Sequence, residues 1–184
     1  KGSVRLALLR IIFKSVGLPE KYNSAQFVMW LQHEGIFDAV RNHVESNGHN
    51  WDYELEHFIV AEGLHEALMA TLPNTFSSTE RCIDTLQNQF HPKDDISSDD
   101  MIQSIQRSLS NLDGIFPLTL IVLDEIQQYI GESSERSLDV QEMVEACCKK
   151  IGSSLLFVGT GQTAVTGTSN LKKLEGRFTV RIEL

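Results

Sequence analysis

The sequence predicts an α/β protein in which a mostly helical block precedes a parallel β-sheet. Before Gly114, apolar residues recur at helical spacing and no segment reads convincingly as a strand. After Gly114, two short apolar runs, 117–123 and 154–158, are separated by a helical pattern, and residues 178–184 alternate between apolar and polar. Strands that alternate with helices along a chain pair in parallel, so we expect a three-stranded parallel sheet.

Composition limits the classes of function. The 184 residues carry a net charge of −9, which argues against the chain as a whole being a nucleic-acid-binding surface. Three cysteines form no disulfide framework, which favours a reducing cytoplasm. No apolar run approaches the ~20 residues of a membrane helix. Because the chain begins at Lys1 rather than Met, we expect it to be a fragment of a longer protein.

Residues 1–112 are expected to form the helical block, and residues 113–184 the α/β half. Within the block, each helix presents apolar residues on one side. The expected helices are residues 3–16, one capped by Asn23 or Ser24, one from Ile36 to near Gly48, two short ones in 51–72 that meet near Gly63, 78–90, and one opened by Ser97 or Ser98. The polar link at 91–100 is the best internal boundary before the last of these helices.

Two acids follow the first predicted strand. The apolar run Leu120–Leu123 reads as a strand buried on both faces of a parallel sheet, and it ends in Asp124 and Glu125. Acids at the carboxyl end of such a strand lose solvation energy unless a cation lies opposite. In P-loop nucleotide hydrolases that cation is Mg²⁺, and this pattern is a Walker B motif. Asp124 is then the metal ligand and Glu125 orients the attacking water. The alternative is that Asp124 only caps the next helix.

The second predicted strand ends in Gly159-Thr160-Gly161-Gln162. Polar groups at this tip would lie beside the γ-phosphate, so Thr160 and Gln162 are candidate nucleotide-sensing residues. The alternative is a glycine turn with Thr or Gln as a helix cap. A dinucleotide fingerprint is weak because the third glycine is replaced by Ala164.

Two arginines, Arg177 and Arg181, flank the start of the last predicted strand. A guanidinium suits a triphosphate because it makes paired, charged hydrogen bonds. Such an arginine, supplied from a neighbouring subunit, accelerates hydrolysis. The alternative is a surface arginine, or an ion pair with Glu175 or Glu183.

Other catalytic patterns are missing from the sequence. His33-Glu34 begins like H-E-x-x-H, but Phe37 stands in place of the second histidine, and the six histidines show no ligand spacing. The pair Cys147-Cys148 is best explained by packing. No G-x-x-x-x-G-K-[S/T] is present, so we expect the phosphate-binding loop to lie upstream and the chain alone to be inactive.

The runs LTLIVLDEIQQYIGESSERSLDVQEMVEACCKK and LLFVGTGQTAVTGTSNLKKLEGRFTVRIEL resemble the large P-loop ATPase of BREX phage-defence systems, the BrxC/PglY family. The resemblance covers nearly all of the chain. It implies the C-terminal half of an AAA+-like P-loop sheet after a helical insertion, with ATP and Mg²⁺ bound in the full-length protein. It also implies a cytoplasmic protein acting with other subunits of the same ATPase, a BREX methyltransferase and other defence proteins, and with DNA indirectly.

The resemblance also assigns residues. Asp124 and Glu125 match the Walker B acids of the family, and Thr160 to Gln162 fall where its sensor lies. Gly176-Arg177-Phe178 is similar to the G-R-F of AAA ATPases, in which the arginine is the finger that acts on a neighbouring subunit. The other expectation is a non-catalytic interaction module, in which residues 1–112 dock a partner protein and the α/β half is a scaffold.

Overall fold

The protein is described by a computed structural model over residues 3–161. In that range the chain forms nine α-helices, one 3₁₀ helix and two β-strands. In chain order the elements are α1 (Val4–Ser15), α2 (Tyr22–His33), α3 (Phe37–Ser46), α4 (Trp51–Glu56), α5 (Glu62–Thr71), α6 (Thr79–Gln89), α7 (Ser98–Leu109), β1 (Thr119–Leu123), α8 (Ile126–Ile130), α9 (Ser134–Ile151), the 3₁₀ helix (Gly152–Ser154) and β2 (Leu155–Gly159).

Serine side chains cap the starts of three helices. The hydroxyls of Ser78, Ser97 and Ser133 each accept a backbone N–H of the first turn of α6, α7 and α9. The predicted cap of α2 is wrong, because Lys21 holds the N-cap position and makes no side-chain capping bond. Ser24 instead lies inside the first turn, where it is buried.

The described residues divide into two compact units, and the division falls between Asp94 and Asp95, within the predicted polar link. The helical unit is Leu9–Asp94. The α/β unit contains the described residues up to Leu8 and from Asp95 onward. The division lies earlier in the chain than the predicted boundary at residue 112 because α7 packs against α9 in the α/β unit.

The core of the helical unit is built around aromatic side chains. The Phe27 and Phe58 rings stack with centroids 4.8 Å apart, and Phe90 meets Phe27 edge-on at 5.5 Å. Burying each such ring contributes about 1.5–3 kcal/mol. The helical unit therefore has a hydrophobic core of its own.

A buried carboxylate joins α4 to α5 inside the helical unit. Glu54 Oε2 accepts the Leu64 N–H at 2.9 Å, and its other oxygen lies 3.1 Å from His49 Nδ1. Helix α5 begins after Ala61, which has no side chain able to cap it, so Glu54 performs the capping from another helix. A Cβ at Gly63 would lie 2.6 Å from the His49 ring, so a side chain here would displace that ring from its contact with Glu54.

The α/β unit contains a two-stranded parallel sheet. Thr119 pairs with Leu155 and Leu123 pairs with Gly159, with β1 and β2 in register between them. Helix α9 connects the strands and packs against β2, where Leu155 and Phe157 are buried. The predicted mixed α/β class with parallel pairing is confirmed for these strands, while the predicted third strand, 178–184, lies outside the described residues.

The opposite face of this sheet is apolar and exposed. Leu120, Val122, Leu156 and Val158 alternate with the inward residues and are 40–59% exposed. The prediction that the first strand is buried on both faces is therefore wrong for the described part of the chain. Successive side chains point to opposite faces, and helix α9 covers only one of them.

None of the helices within residues 3–161 combines the length and apolar character that crossing a membrane requires.

Candidate functional site

The polar residues singled out in the sequence meet at one edge of the sheet. Asp124 and Glu125 directly follow β1, and Thr160 directly follows β2. Because the strands are parallel and Leu123 pairs with Gly159, their carboxyl ends lie side by side. We call Asp124, Glu125 and Thr160 the tip cluster.

The Thr160 hydroxyl connects both acids of the tip cluster. It donates a hydrogen bond to Asp124 Oδ1 and accepts the backbone N–H of Glu125 at 3.0 Å. The backbone continues the pairing, since the Thr160 N–H donates to the Leu123 carbonyl at 3.0 Å. A hydroxyl has one proton to donate and two lone pairs, so a single threonine side chain can serve both neighbours.

Glu125 adopts a left-handed backbone conformation, with φ 48° and ψ 40°. Within residues 3–161 it is the sole non-glycine residue with positive φ. This conformation costs a residue with a side chain about 1 kcal/mol or more, and such strain is common at functional sites. The Glu125 carboxylate accepts a hydrogen bond from Gln128 Nε2 in α8. The backbone of Glu125 is thus held by Thr160 and its side chain by Gln128.

The alternative role of Asp124 as a helix cap is not supported. Glu125, not Asp124, holds the N-cap position of α8, and no side-chain capping bond is formed there. The Asp124 carboxylate accepts from Thr160 on the neighbouring strand and is otherwise exposed. It therefore faces the edge of the sheet, where a ligand can reach it.

The oxygen atoms of the tip cluster suit a hard cation that is bound by the protein on one side and by phosphate oxygens on the other. Mg²⁺ in nucleotide sites takes one or two carboxylates and completes its octahedron with phosphate oxygens and water. Asp124 supplies an exposed carboxylate of this kind beside the Thr160 hydroxyl. No group of three or more metal-ligating side chains occurs in the described part of the chain, so a closed, all-protein metal cage does not form there.

Two predicted site residues, Gln162 and Arg177, lie outside the described residues, which end at Gly161. The structure brings together the other three, and it adds Gln128, which the sequence reading did not single out. The available signal was its spacing, because a Glu or Gln three positions after an N-cap residue can reach back to that residue.

The adjacent cysteines differ in their surroundings. Cys147 is fully buried in α9, and this burial raises the pKa of its thiol to about 12. Cys148 is exposed. A thiol with a pKa so far above neutrality is not a nucleophile, which agrees with a packing role for Cys147.

Comparison of the chain with protein-family models, with curated proteins and with solved structures found no match in any of the three. A functional assignment therefore depends on the geometry of the tip cluster.

Proposed function

We propose that this chain carries the metal-binding and water-orienting half of an ATP-hydrolysing site, in an AAA+-like P-loop ATPase of a BREX-type phage-defence system. The observation that supports this most is the tip cluster. An exposed aspartate and a strained glutamate follow β1, and both are hydrogen-bonded to the threonine that directly follows the neighbouring parallel strand β2.

Each residue of the tip cluster has a distinct role in this proposal. Asp124 binds Mg²⁺ and the water molecules around it, and Glu125 orients the water that attacks the γ-phosphate. The Thr160 hydroxyl holds the two acids in a fixed position relative to each other, so that a movement of Thr160 at the end of β2 would move both acids. Bound Mg²⁺ would neutralise charge on the phosphate oxygens.

The proposal extends to residues beyond Gly161. Gln162 would contribute to sensing the γ-phosphate, and Arg177 would act on the nucleotide of a neighbouring subunit. The phosphate-binding loop would come from another part of the full-length, cytoplasmic protein, because no P-loop sequence occurs in these 184 residues. ATP hydrolysis would then drive remodelling or assembly of a DNA-associated complex with the BREX methyltransferase and other defence proteins.

The proposal is tested by ATP turnover of the full-length protein. Asp124→Ala should abolish turnover by removing the metal ligand, whereas Glu125→Gln should abolish turnover while ATP still binds. Glu135→Gln, an exposed glutamate in the first turn of α9, is the matched control and should behave as wild type. Unchanged turnover in both Asp124→Ala and Glu125→Gln would refute the ATPase assignment.

A second candidate function is docking of a partner protein by the helical unit. This unit has its own core. It also carries an open cleft of about 470 Å³ beside α2, α3 and α4, and the apolar residues that line the cleft include Val28, Phe37 and Trp51. A pull-down from cells carrying the defence system, with and without ATP, tests this function. Nucleotide-independent binding that Arg41→Glu, a change at an exposed residue of the cleft lining, abolishes would support it, and equal capture by wild type and Arg41→Glu would count against it.

A further inference from the structure

Helix α8 places Gln128 next to the carboxylate of Glu125. The two residues are three positions apart, and Gln128 Nε2 donates a hydrogen bond to Glu125 Oε2. Glu125 holds the N-cap position of α8 and Gln128 is the third residue of that helix, so the hydrogen bond joins the residue before the helix to its first turn.

The backbone that carries Gln128 is anchored independently of its side chain. Ile130, two residues on, is fully buried. Arg136 Nη1 donates to the Tyr129 carbonyl at 2.9 Å, and its guanidinium lies 5.4 Å from the centroid of the Tyr129 ring. The Gln128 side chain itself is exposed. Its amide therefore contributes little to the core, while its Cα stays at a fixed position relative to Glu125.

A glutamate that orients water must hold its carboxylate in one place. Glu125 has three rotatable side-chain bonds, and ordering them at the moment of reaction costs entropy. Thr160 restrains only the backbone of Glu125, through its N–H. The hydrogen bond from Gln128 restrains the other end of the side chain, and positioning of this kind is what reactive groups require.

We propose that Gln128 is a positioning residue, which holds the Glu125 carboxylate ready to orient the attacking water. The inference rests on the proposed ATPase function and adds to it a residue that does not touch the nucleotide. Replacement of Gln128 should lower kcat without changing the affinity for ATP, since the effect passes through Glu125.

The test uses the full-length protein with two substitutions at one position. Gln128→Glu keeps the size of the side chain but replaces the donor with a like charge, and Gln128→Ala removes the side chain. Gln127→Ala, the adjacent amide in α8, is the control, because its side-chain oxygen makes no hydrogen bond in the described structure. The measurements are kcat, KM for ATP and the melting temperature.

We expect kcat to fall about tenfold in Gln128→Ala and further in Gln128→Glu, as for other residues that orient a catalytic group. KM and the melting temperature should stay at their wild-type values. Equal kcat in the Gln128 and Gln127 variants would overturn the positioning role, and so would a faster kcat. A raised KM at constant kcat would indicate contact with ATP instead, and a lowered melting temperature that accounts for the lost activity would indicate a structural role.

Failure of this inference is distinguishable from failure of the proposed function. If Glu125→Gln stops turnover while both Gln128 variants remain fully active, only the role of Gln128 is wrong. If Glu125→Gln itself leaves turnover unchanged, the ATPase assignment fails and the positioning role fails with it.

Discussion

Substitution of Thr160 distinguishes directly whether its hydrogen bonds are needed for turnover or for stability. Replacing it with valine exchanges the hydroxyl for a methyl group of nearly the same size. The substitution removes the hydrogen bond donated to Asp124 and the one accepted from the Glu125 N–H. Thr160→Ser keeps the hydroxyl and loses only the methyl group, so it is the matched control.

The two effects of Thr160→Val should differ greatly in size. Thr160 and Asp124 are both exposed, so water can replace the lost partner, and we expect the free energy of unfolding to fall by only about 0.5–1 kcal/mol. Turnover depends on the placement of both acids. Loss of a residue that orients catalytic ligands costs about 10–100-fold in activity, and we expect a decrease of this size in kcat.

The assay compares kcat for ATP in the full-length wild type, Thr160→Val and Thr160→Ser, with thermal unfolding followed by circular dichroism. Thr160→Ser should keep most of the activity. Thr160→Val turnover within about twofold of wild type would show that the Thr160 hydroxyl does not place the two acids. Equal loss of activity in both variants would also contradict this role, because the methyl group and not the hydroxyl would then be responsible.

Three further predictions concern the helical unit and α9. Glu54→Ala removes the cap of α5 from a buried site and should lower the free energy of unfolding by about 2–3 kcal/mol, more than Glu54→Gln, as read by fluorescence of the two tryptophans of the helical unit. Burial lowers the pKa of His65 below its ordinary 6.5, so the folded state binds fewer protons than the unfolded one. The stability that neutral His65 contributes should be complete above pH 6.5 and lost as the pH falls. In urea titrations, the free energy of unfolding should therefore decrease less between pH 7.5 and pH 5.5 in His65→Gln than in the wild type. Alkylation at pH 8 followed by peptide mass spectrometry should label Cys148 and spare Cys147, and equal labelling would contradict the burial of Cys147.

Much of the architecture could be predicted because it depends on local patterns. A helix buries one side, so its apolar residues recur at the helical period, and the ends of α1 and α3 lie just before glycines with positive φ, Gly17 and Gly48. Two apolar runs separated by a helix implied the parallel pairing of β1 and β2, which the register confirms. Ser97 caps α7 as expected, and Ser78, where a helix was expected to begin, caps α6.

Local patterns did not settle which polar residue performs which task. Ser24 has the chemistry of a cap but is buried within α2, and the capping of α5 comes from Glu54, ten residues before the N–H it accepts. In both cases packing of one helix on another decided the outcome. The short helix α8 was also not predicted, because five residues are too few to show a period.

Local patterns were sufficient to predict the longer helices, the two strands and the acids that follow the first strand, because each depends on residues close together in the chain. Only the tertiary structure decided that Thr160 meets Asp124, 36 positions away, and that Glu125 takes a left-handed conformation between Thr160 and Gln128. Parallel pairing aligns the ends of distant strands, and the hydrogen bonds of Thr160 at their edge join residues that no local pattern places together.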